Sequence, residues 1–443
     1  MADLTTLLLQ GPLDAATLTA RLAISQATLS RLIAAHPQVM KYGRARATRY
    51  ALLRPLREES GFPLWHIDEQ GHSRQAGQLF SVWPAGSYLV EDAQGHWQHY
   101  AGLPWYLSDM RPQGFLGRAW GRECALQLGL PEDIRQWNDD HNLLALTARG
   151  SDISGSWLIG RESYQQWIQQ PAPKLISLED KPAQYPELAQ RVLAGEEVGS
   201  SAGGEQPKFA CYAQLAEKEA AHVLVKFTPA RRNENSQRWC DLLRAEALAL
   251  QVLREEGVSA AKASILAGPE EQLFLEVVRF DRLGERGRRS MVSLESVQAE
   301  FTGHYSRWPQ ALSALLSQKK IATADAERGT LQWAFGKLIA NGDMHAGNLA
   351  FFLTSAALTL TPAYDMLPMS FAPNSAGYMR TEPPAIELDS RVGRVVWQQA
   401  LTLAERYWQA IINDTVWSED FRRIAQQMLQ RLKMLEPQLA RMA

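Results

Sequence analysis

The stretch Gly342-Asp-Met-His-Ala-Gly-Asn348, followed further along the chain by Tyr364-Asp365, decides the fold class of this protein. It places two carboxylates and an amide in loops beside apolar strands, where unpaired polar groups are costly unless they have a task. Asp343 is suited to orient an attacking hydroxyl and to accept its proton. Asn348 and Asp365 offer the hard oxygen ligands that Mg²⁺ prefers. The stretch therefore predicts Mg²⁺-dependent phosphoryl transfer.

The spacing within this stretch is that of a kinase catalytic loop. Asp343 and Asn348 have four residues between them, as in the Asp-x4-Asn pattern. Residues 351–360, which come before Asp365, predict a β-hairpin. His345 lies inside the loop, and we expect it to pack or to hydrogen-bond there rather than to act as the base.

Two segments upstream predict the nucleotide-holding half of the same fold. The strand His222–Phe227 is apolar and carries one lysine, Lys226, as does the kinase strand that holds the nucleotide phosphates. Residues 239–256 have helical periodicity, and Glu246 on this helix could face Lys226. The alternatives are a solvent-facing lysine and an ordinary surface carboxylate.

Two further segments complete the set. Leu273–Arg282 is a buried strand that runs into a charged turn, where a kinase hinge would offer backbone hydrogen bonds to adenine. Gly199–Lys208 contains the adjacent glycines Gly203 and Gly204, which allow a backbone to approach a phosphate closely. This loop lacks the ending of a Walker A motif, and a plain surface turn is the alternative.

The first 55 residues predict a winged helix-turn-helix. Residues 4–9 and 14–23 read as helices, Ser25 is a plausible N-cap for a helix to about Ala35, and residues 39–52 read as a hairpin. Residues 1–55 carry seven Lys or Arg against two Asp, a charge of +5, so the rest of the chain sums to −7. A basic head on an acidic body indicates an anionic partner.

This pattern predicts binding to double-stranded DNA. The second helix would present short polar side chains and one arginine to base edges in the major groove, from Gln26, Thr28 and Arg31. The hairpin would neutralise backbone phosphates with Lys41, Arg44, Arg46 and Arg49. The alternatives are a small helical cap with solvated charges and a module that docks another protein.

Composition places the chain among ordinary globular proteins. It has 443 residues, of which 46% are hydrophobic and 21% charged, and this excludes a disordered chain, a collagen and a small disulfide scaffold. The three cysteines, Cys124, Cys211 and Cys240, form no close pair and fit a reducing compartment. No apolar run is long enough to span a membrane, so we expect a cytoplasmic protein.

The ordered set of motifs resembles the HipA family of bacterial serine/threonine kinases, known as toxins of toxin–antitoxin modules. The motifs are Ser201-Ala-Gly-Gly-Glu-Gln-Pro-Lys208, Val225-Lys226, Val278-Arg-Phe-Asp-Arg282, Asp343-Met-His-Ala-Gly-Asn348 and Tyr364-Asp365. The resemblance covers roughly residues 60–443. The N-terminal extension and the segment Leu103–Arg118 are similar to those of the branch called HipH or YjjJ.

The resemblance implies a role for each matching position. Lys226 would bind the ATP phosphates, Asp343 would be the catalytic aspartate, and Asn348 and Asp365 would hold Mg²⁺. Val278 to Phe280 would form the adenine hinge, although the family has a glutamate where this chain has Val278. Ser201, or its neighbour Ser200, would be the serine whose autophosphorylation ejects the loop and switches the kinase off.

These inferences predict an α+β protein with a two-lobed, protein-kinase-like HipA fold. The predicted domains are residues 1–55 (winged helix-turn-helix), 56–150 (β-rich), 151–283 (kinase N-lobe) and 284–443 (helical C-lobe). The resemblance implies a protein substrate such as an aminoacyl-tRNA synthetase or another translation factor, and a HipB-like antitoxin as partner. The chain's own helix-turn-helix argues for intramolecular or operator-linked control instead.

Three alternatives to this function remain open at the level of sequence. The loop Gly342–Asn348 is also similar to that of small-molecule kinases of the aminoglycoside and choline type. A DNA-binding regulator whose kinase fold only senses nucleotide is the second alternative. The third is a nuclease-type toxin that uses the basic head, and no further metal-ligand pattern in the sequence supports it.

Overall fold

The computed structural model describes residues 3–195, 206–230, 233–354 and 357–442. These residues form two compact units. The first comprises residues 3–113 and 117–171, and the second comprises residues 114–116 together with the described residues from 172 onward. Among the described residues, no helix is both long enough and apolar enough to cross a membrane.

The N-terminal part of the first unit is a winged helix. Its elements are α1 (Leu4–Leu8), β1 (Leu13–Asp14), α2 (Ala15–Leu22), α3 (Gln26–Ala34), β2 (Val39–Tyr42) and β3 (Arg49–Leu52). The strands form a sheet in the order β1-β3-β2. Ser25 caps α3 by accepting a hydrogen bond from the Thr28 amide, as its sequence position predicts. Leu18 and Leu29 are fully buried and join the two helices in one core.

The wing is firmly joined to the sheet that follows it. Tyr42 and Ala51 share a hydrophobic cluster with Val82 and Leu89 of the next domain. The backbone of Leu53 also pairs with Val82. The winged helix is therefore packed against the sheet that follows it and is not attached by a free linker.

A five-stranded antiparallel sheet and three helices complete the first unit. They are β4 (Gly61–Ile67), β5 (Ser73–Val82), β6 (Ser87–Asp92), β7 (Trp97–Ala101), α4 (Gly114–Leu128), α5 (Asp139–Arg149), β8 (Trp157–Ile159) and α6 (Arg161–Gln169). The strand order is β7-β6-β5-β4-β8. Strand β8 pairs with β4, so residues 157–159 belong to this sheet. The four-domain division, with a boundary after residue 150, stays a prediction.

One segment of this unit differs from its sequence pattern. Residues 112–118 read as a loop, but α4 begins at Gly114. Glycine has a low helix propensity, which hides the helix in the sequence. The glycines have a packing reason: a Cβ on Gly117 would lie 2.8 Å from the Pro112 backbone, and one on Gly121 would clash with the Ile134 side chain.

The second unit begins with a five-stranded sheet in the order β12-β13-β11-β10-β9. Its elements are β9 (Leu175–Ile176), α7 (Lys181–Leu193), β10 (Lys208–Ala216), β11 (Glu219–Phe227), α8 (Glu234–Glu255), β12 (Ala263–Ala267) and β13 (Leu273–Val278). Helix α8 begins five residues before the predicted start, because Asn233 and Ser236 form a reciprocal capping box. A five-stranded sheet with one long helix is the arrangement of elements expected for a kinase N-lobe.

The remainder of the second unit is a mainly helical lobe. Its elements are β14 (Arg282–Leu283), β15 (Gly287–Arg288), β16 (Met291–Ser293), α9 (Leu294–Phe301), α10 (Trp308–Ser317), α11 (Thr323–Leu338), β17 (Ala350–Leu353), β18 (Leu358–Leu360), α12 (Arg394–Asn413), α13 (Glu419–Lys433) and α14 (Glu436–Leu439). Strands β17 and β18 are antiparallel, in agreement with the hairpin predicted at 351–360. The apolar stripe of α13, which includes Phe421 and Met428, is buried.

Candidate phosphoryl-transfer site

A buried ion pair joins the sheet of the second unit to its long helix. Lys226 lies on β11 and Glu246 on α8. Lys226 Nζ donates to both carboxylate oxygens of Glu246 at 2.7 Å. The two side chains are 8% and 1% exposed, so the pair is shielded from solvent. The sequence left open whether these residues meet, and the structure brings them together.

Asp365 completes this cluster from the other lobe. Its carboxylate accepts a hydrogen bond from Lys226 Nζ. Burial raises the pKa of Asp365, but the attraction of Lys226 and Lys208 outweighs burial and leaves the pKa below its ordinary value. Burial also raises the pKa of Glu246, and here Lys226 offsets burial only in part. The same two carboxylates outweigh burial on Lys226 and raise the pKa of its ammonium group.

The loop that carries Asp343 and Asn348 is held by its own polar groups. Asn348 Nδ2 donates to the Asp343 carbonyl at 2.8 Å, which fixes the ends of the Asp-x4-Asn segment relative to each other. The His345 ring accepts a hydrogen bond from the Gly347 amide through Nδ1 at 3.0 Å, as predicted for a residue that organises the loop. The Asp343 side chain is 55% exposed, so it is accessible to a substrate.

Asn341 links this loop to Asp365, and the sequence analysis missed it. Its side-chain oxygen accepts from the Asp343 amide at 3.1 Å, and its Nδ2 donates to the Asp365 carbonyl at 3.3 Å. Asn341 is 4% exposed. Asp365 has a φ of +54°, which is unusual for a residue with a Cβ, and the bond from Asn341 holds it there. A polar residue just before the Gly342-Asp343 turn was the available signal.

Lys208 is the second functional residue that the sequence did not reveal. It ends the Gly199–Lys208 segment, for which only the glycines and serines were assigned a role. It is opposite Lys226 in the register of β10 and β11, and it is 3% exposed. Its charge contributes to holding the pKa of Asp365 low and opposes the rise in the pKa of Glu246. The cluster therefore contains two lysines, Lys226 and Lys208, together with the carboxylates of Glu246 and Asp365.

The predicted hinge lies at the end of β13, with part of its backbone already engaged. The Val278 amide donates to the Lys262 carbonyl at 2.9 Å, so Val278 can offer adenine only its carbonyl and its side chain. The Phe280 ring packs against Tyr364 with ring centroids 5.6 Å apart. The Tyr364 hydroxyl in turn donates to the Gly347 carbonyl at 2.8 Å. These contacts connect the predicted hinge with Tyr364, which precedes Asp365, and with Gly347 of the Asp343–Asn348 loop.

The residues present fit a Mg²⁺ ion with a nucleotide. Asn348 uses its amide nitrogen within the loop, which leaves Oδ1 as an acceptor, and Asp365 supplies a carboxylate kept ionised by its neighbours. Among the described residues, no three His, Cys, Asp or Glu side chains group as a metal site. The Asn348 amide oxygen would join the Asp365 carboxylate in this ligand set. The predicted phosphate-loop residues Ser200, Ser201, Gly203 and Gly204 lie outside the described residues.

The predicted DNA-contacting residues lie in the first unit. Gln26 and Arg31 are exposed on α3, whereas Thr28 is half-buried and its hydroxyl bonds to Ser25 at 3.0 Å. The wing residues Lys41, Arg44, Arg46 and Arg49 are all exposed. Arg54, which the charge count included, is buried and paired with Asp140, so it is not available to DNA.

A sheet carrying a Lys–Glu pair, followed by a helical lobe with an Asp-x4-Asn loop, defines a protein-kinase-like fold. Comparison with known proteins gives the family. Residues 58–168 match the family model "YjjJ-like toxin, middle domain", and residues 200–434 match "HipA-like C-terminal domain". The chain is 49% identical over 442 residues to Toxin YjjJ of Escherichia coli K12, covering all of both chains. The chain belongs to the HipA family, in its YjjJ-like branch.

A solved HipA structure supports the fold. The HipA chain in the Shewanella oneidensis complex of HipA, HipB and operator DNA aligns with a TM-score of 0.53 at 16% identity, covering 84% of this chain and 97% of that chain. The Helicobacter pylori proinflammatory kinase CtkA aligns with a TM-score of 0.38 at 15% identity, over 54% of this chain and 91% of that chain. The α+β, kinase-like HipA fold predicted from the sequence is confirmed.

Proposed function

We propose that this protein is a Mg·ATP-dependent serine/threonine protein kinase of the HipA toxin type. The observation that carries the proposal is the joint contact of Lys226 with Glu246 and Asp365, which assembles residues from both lobes. The relative named Toxin YjjJ supports a toxin role. A growth-arresting target in translation, such as an aminoacyl-tRNA synthetase, follows from the family resemblance.

Each of these residues has a separate role in the proposed phosphoryl transfer. Asp343 is exposed and anchored through its backbone, so its carboxylate can orient a serine or threonine hydroxyl and accept its proton. Lys226 and Lys208 supply positive charge for the nucleotide phosphates. Asn348 and Asp365 would hold Mg²⁺, which would neutralise charge on those phosphates when bound. Val278 and Phe280 would contact adenine, and Gly203 and Gly204 would form the phosphate loop.

Transfer of labelled phosphate from Mg·ATP to protein tests this function. The purified chain is incubated with γ-labelled ATP, and phosphoamino acids are identified after hydrolysis. Asp343→Asn keeps the side chain's shape and removes its charge, and the exposed Glu300→Gln makes the same chemical change elsewhere. We expect phosphoserine in the wild type and in Glu300→Gln and its loss in Asp343→Asn. Label transferred only to added sugars or amines would instead indicate a small-molecule kinase.

We also propose that the winged helix binds double-stranded DNA. Gln26 and Arg31 on the exposed face of α3 would read bases, with Thr28 placed at the start of this face, and the wing's cations would contact phosphates. The HipA relative bound with HipB and operator DNA supports a DNA partner and a HipB-like antitoxin. Protection of its own promoter from nuclease, lost in Arg31→Gln, tests it. Protection unchanged by Asp343→Asn would show that DNA binding does not need the kinase reaction.

A further inference from the structure

A cavity of about 550 Å³ lies between the wing and the turn that joins β6 to β7. Both sides belong to the first unit, whereas Lys226, Asp343 and Asp365 belong to the second. Arg44 and Arg49 line it from the wing, and His96, Trp97 and His99 line it from the sheet. This volume is in the range of small-molecule sites and exceeds what a single phosphate needs.

Two features give the cavity a defined shape. The wing turns at Gly43 (φ +75°) and the β6–β7 turn at Gly95 (φ +80°). A Cβ built on Gly95 would lie 3.2 Å from Arg44 Nη2, so the Arg44 guanidinium lies directly over this turn. The Trp97 ring is held by Tyr42, with ring centroids 5.4 Å apart. Packing against Tyr42 therefore holds the Trp97 ring, and the Arg44 guanidinium lies against the Gly95 turn.

The lining favours a ligand that is both anionic and flat. Among the described residues, the lining contains two arginines and two histidines and no Asp or Glu. Arginine binds phosphate through paired donors, and an indole offers a stacking surface to a base. Burial and the charge of Arg49 lower the pKa of His99, so its ring is a neutral hydrogen-bonding group.

Three acidic side chains lie next to the cavity and reduce its positive field, and the Glu91 carboxylate is within 3.9 Å of the Cβ built on Gly95. Asp14 lies opposite Arg49 in the register of β1 and β3. Asp92 contacts the His96 ring at 3.0 Å, and Glu91 precedes it on β6. All three lie outside the cavity lining.

We propose that this cavity binds a nucleoside monophosphate unit, with its phosphate on Arg44 and Arg49 and its base against Trp97. The unit could be a free nucleotide or an unpaired nucleotide of a DNA strand, which share this chemistry. The site lies in the first unit and does not depend on the proposed kinase reaction. It uses Arg44 and Arg49 but not Arg46, which extends from the same wing loop and is outside the lining.

Photolabelling with 8-azido-AMP tests the site on the full-length chain. After irradiation and digestion, label is quantified only in peptides that contain residues 42–49 or 94–99, so any label in the kinase unit is excluded. Arg44→Gln/Arg49→Gln removes the phosphate donors, and Arg46→Gln is the matched control on the same loop. An unchanged melting temperature shows that the double variant is folded. We expect about a tenfold loss of label in the double variant and little change in Arg46→Gln.

Competitors identify the source of the nucleotide. Displacement of label at lower concentrations of AMP than of a single-stranded oligodeoxynucleotide supports a free nucleotide, and the reverse order supports a DNA strand. Label that is unchanged in the double variant, or displaced equally well by inorganic phosphate, overturns the proposal. Because Arg46→Gln is expected to weaken duplex binding but not photolabelling, failure of the DNA proposal and failure of this one are distinguishable.

Discussion

Lys226 donates a hydrogen bond to Asp365 while it is also bonded to Glu246, although 139 residues separate Lys226 from Asp365 in the chain. Two buried carboxylates thus share one ammonium group. Burial is the largest cause of the raised pKa of Glu246 and repulsion from Asp365 adds to it, whereas the attraction of Lys226 lowers this pKa. Lys208 supplies the compensating charge. Lys226, Lys208, Glu246 and Asp365 therefore act as one electrostatic unit.

Removing the central lysine should abolish phosphate transfer. Lys226→Met leaves the two carboxylates without their shared donor, and we expect transfer to fall about 100-fold or more. Glu246→Gln, which keeps a hydrogen-bond acceptor for Lys226, should lose less. Initial rates of transfer from labelled ATP measure both. The exposed Lys433→Met is the control, and an equal loss in that variant would contradict a specific role for Lys226.

Asn341 is expected to act as a positioning residue. Asn341→Asp keeps an acceptor for the Asp343 amide but loses the donor to the Asp365 carbonyl. Because Asn341 is buried and the new carboxylate would face the Asp365 carbonyl without a donor between them, the variant should lose at least about 1–3 kcal/mol of stability. We expect kcat to fall while the KM for ATP changes little, since Lys226 is untouched. A raised KM with an unchanged kcat would show that Asn341 does not position Asp343.

The wing's link to its neighbour depends on Arg54. This residue forms two hydrogen bonds to Asp140, at 2.6 and 2.7 Å, and Tyr88 also donates to that carboxylate. Arg54→Met leaves Asp140 underpaired in a largely buried place, and we expect the first unit to lose about 3 kcal/mol.

Urea unfolding followed by tryptophan fluorescence measures this loss. Arg135→Met is the control, because the Arg135–Asp133 pair is exposed (87% and 35%) and should contribute much less to stability. Equal effects of the two substitutions would contradict the structural role of Arg54.

Helix α7 is fixed to the sheet by Lys181. Its ammonium group contacts Glu276 at 2.6 Å, and both side chains are 3% exposed. Lys181→Met leaves a buried carboxylate with only the Tyr185 and Ser264 hydroxyls, so we expect a loss of about 3–5 kcal/mol. Thermal unfolding tests this against Lys262→Met, whose pair with Glu219 is exposed. A smaller effect from Lys181 than from Lys262 would show that the buried pair is dispensable.

The sequence predicted those features of the site and of the fold that short spacings define. The Asp343–Asn348 loop, the Lys226 strand and the cap of α3 all depend on residues near one another in the chain. Asn341 and Lys208 were missed because their roles come from contacts between loops and between paired strands. In the sequence, Asn341 is marked only as a polar residue before the Gly342-Asp343 turn, and no spacing indicates that Lys208 lies opposite Lys226.

The first unit shows the same limit for the fold. Strand β8 joins its sheet from nearly 100 residues after β4, and its three residues give too short a pattern to place it. Arg54 contributes to the +5 charge of residues 1–55, from which an anionic partner was predicted. Its actual partner, Asp140, lies 86 residues away, so the sequence does not show that this charge is already paired. Helix α4 was hidden by glycines whose purpose is close packing.

Peptide mass spectrometry after incubation with Mg·ATP tests the central claim most directly. Wild type and Asp343→Ala are digested, and the peptide that contains Ser200 and Ser201 is compared. The account predicts an added phosphate on Ser201 or Ser200 in the wild type and none in Asp343→Ala. Unmodified peptide in both samples, from protein shown to bind ATP, would contradict an active kinase and favour a nucleotide-sensing DNA regulator.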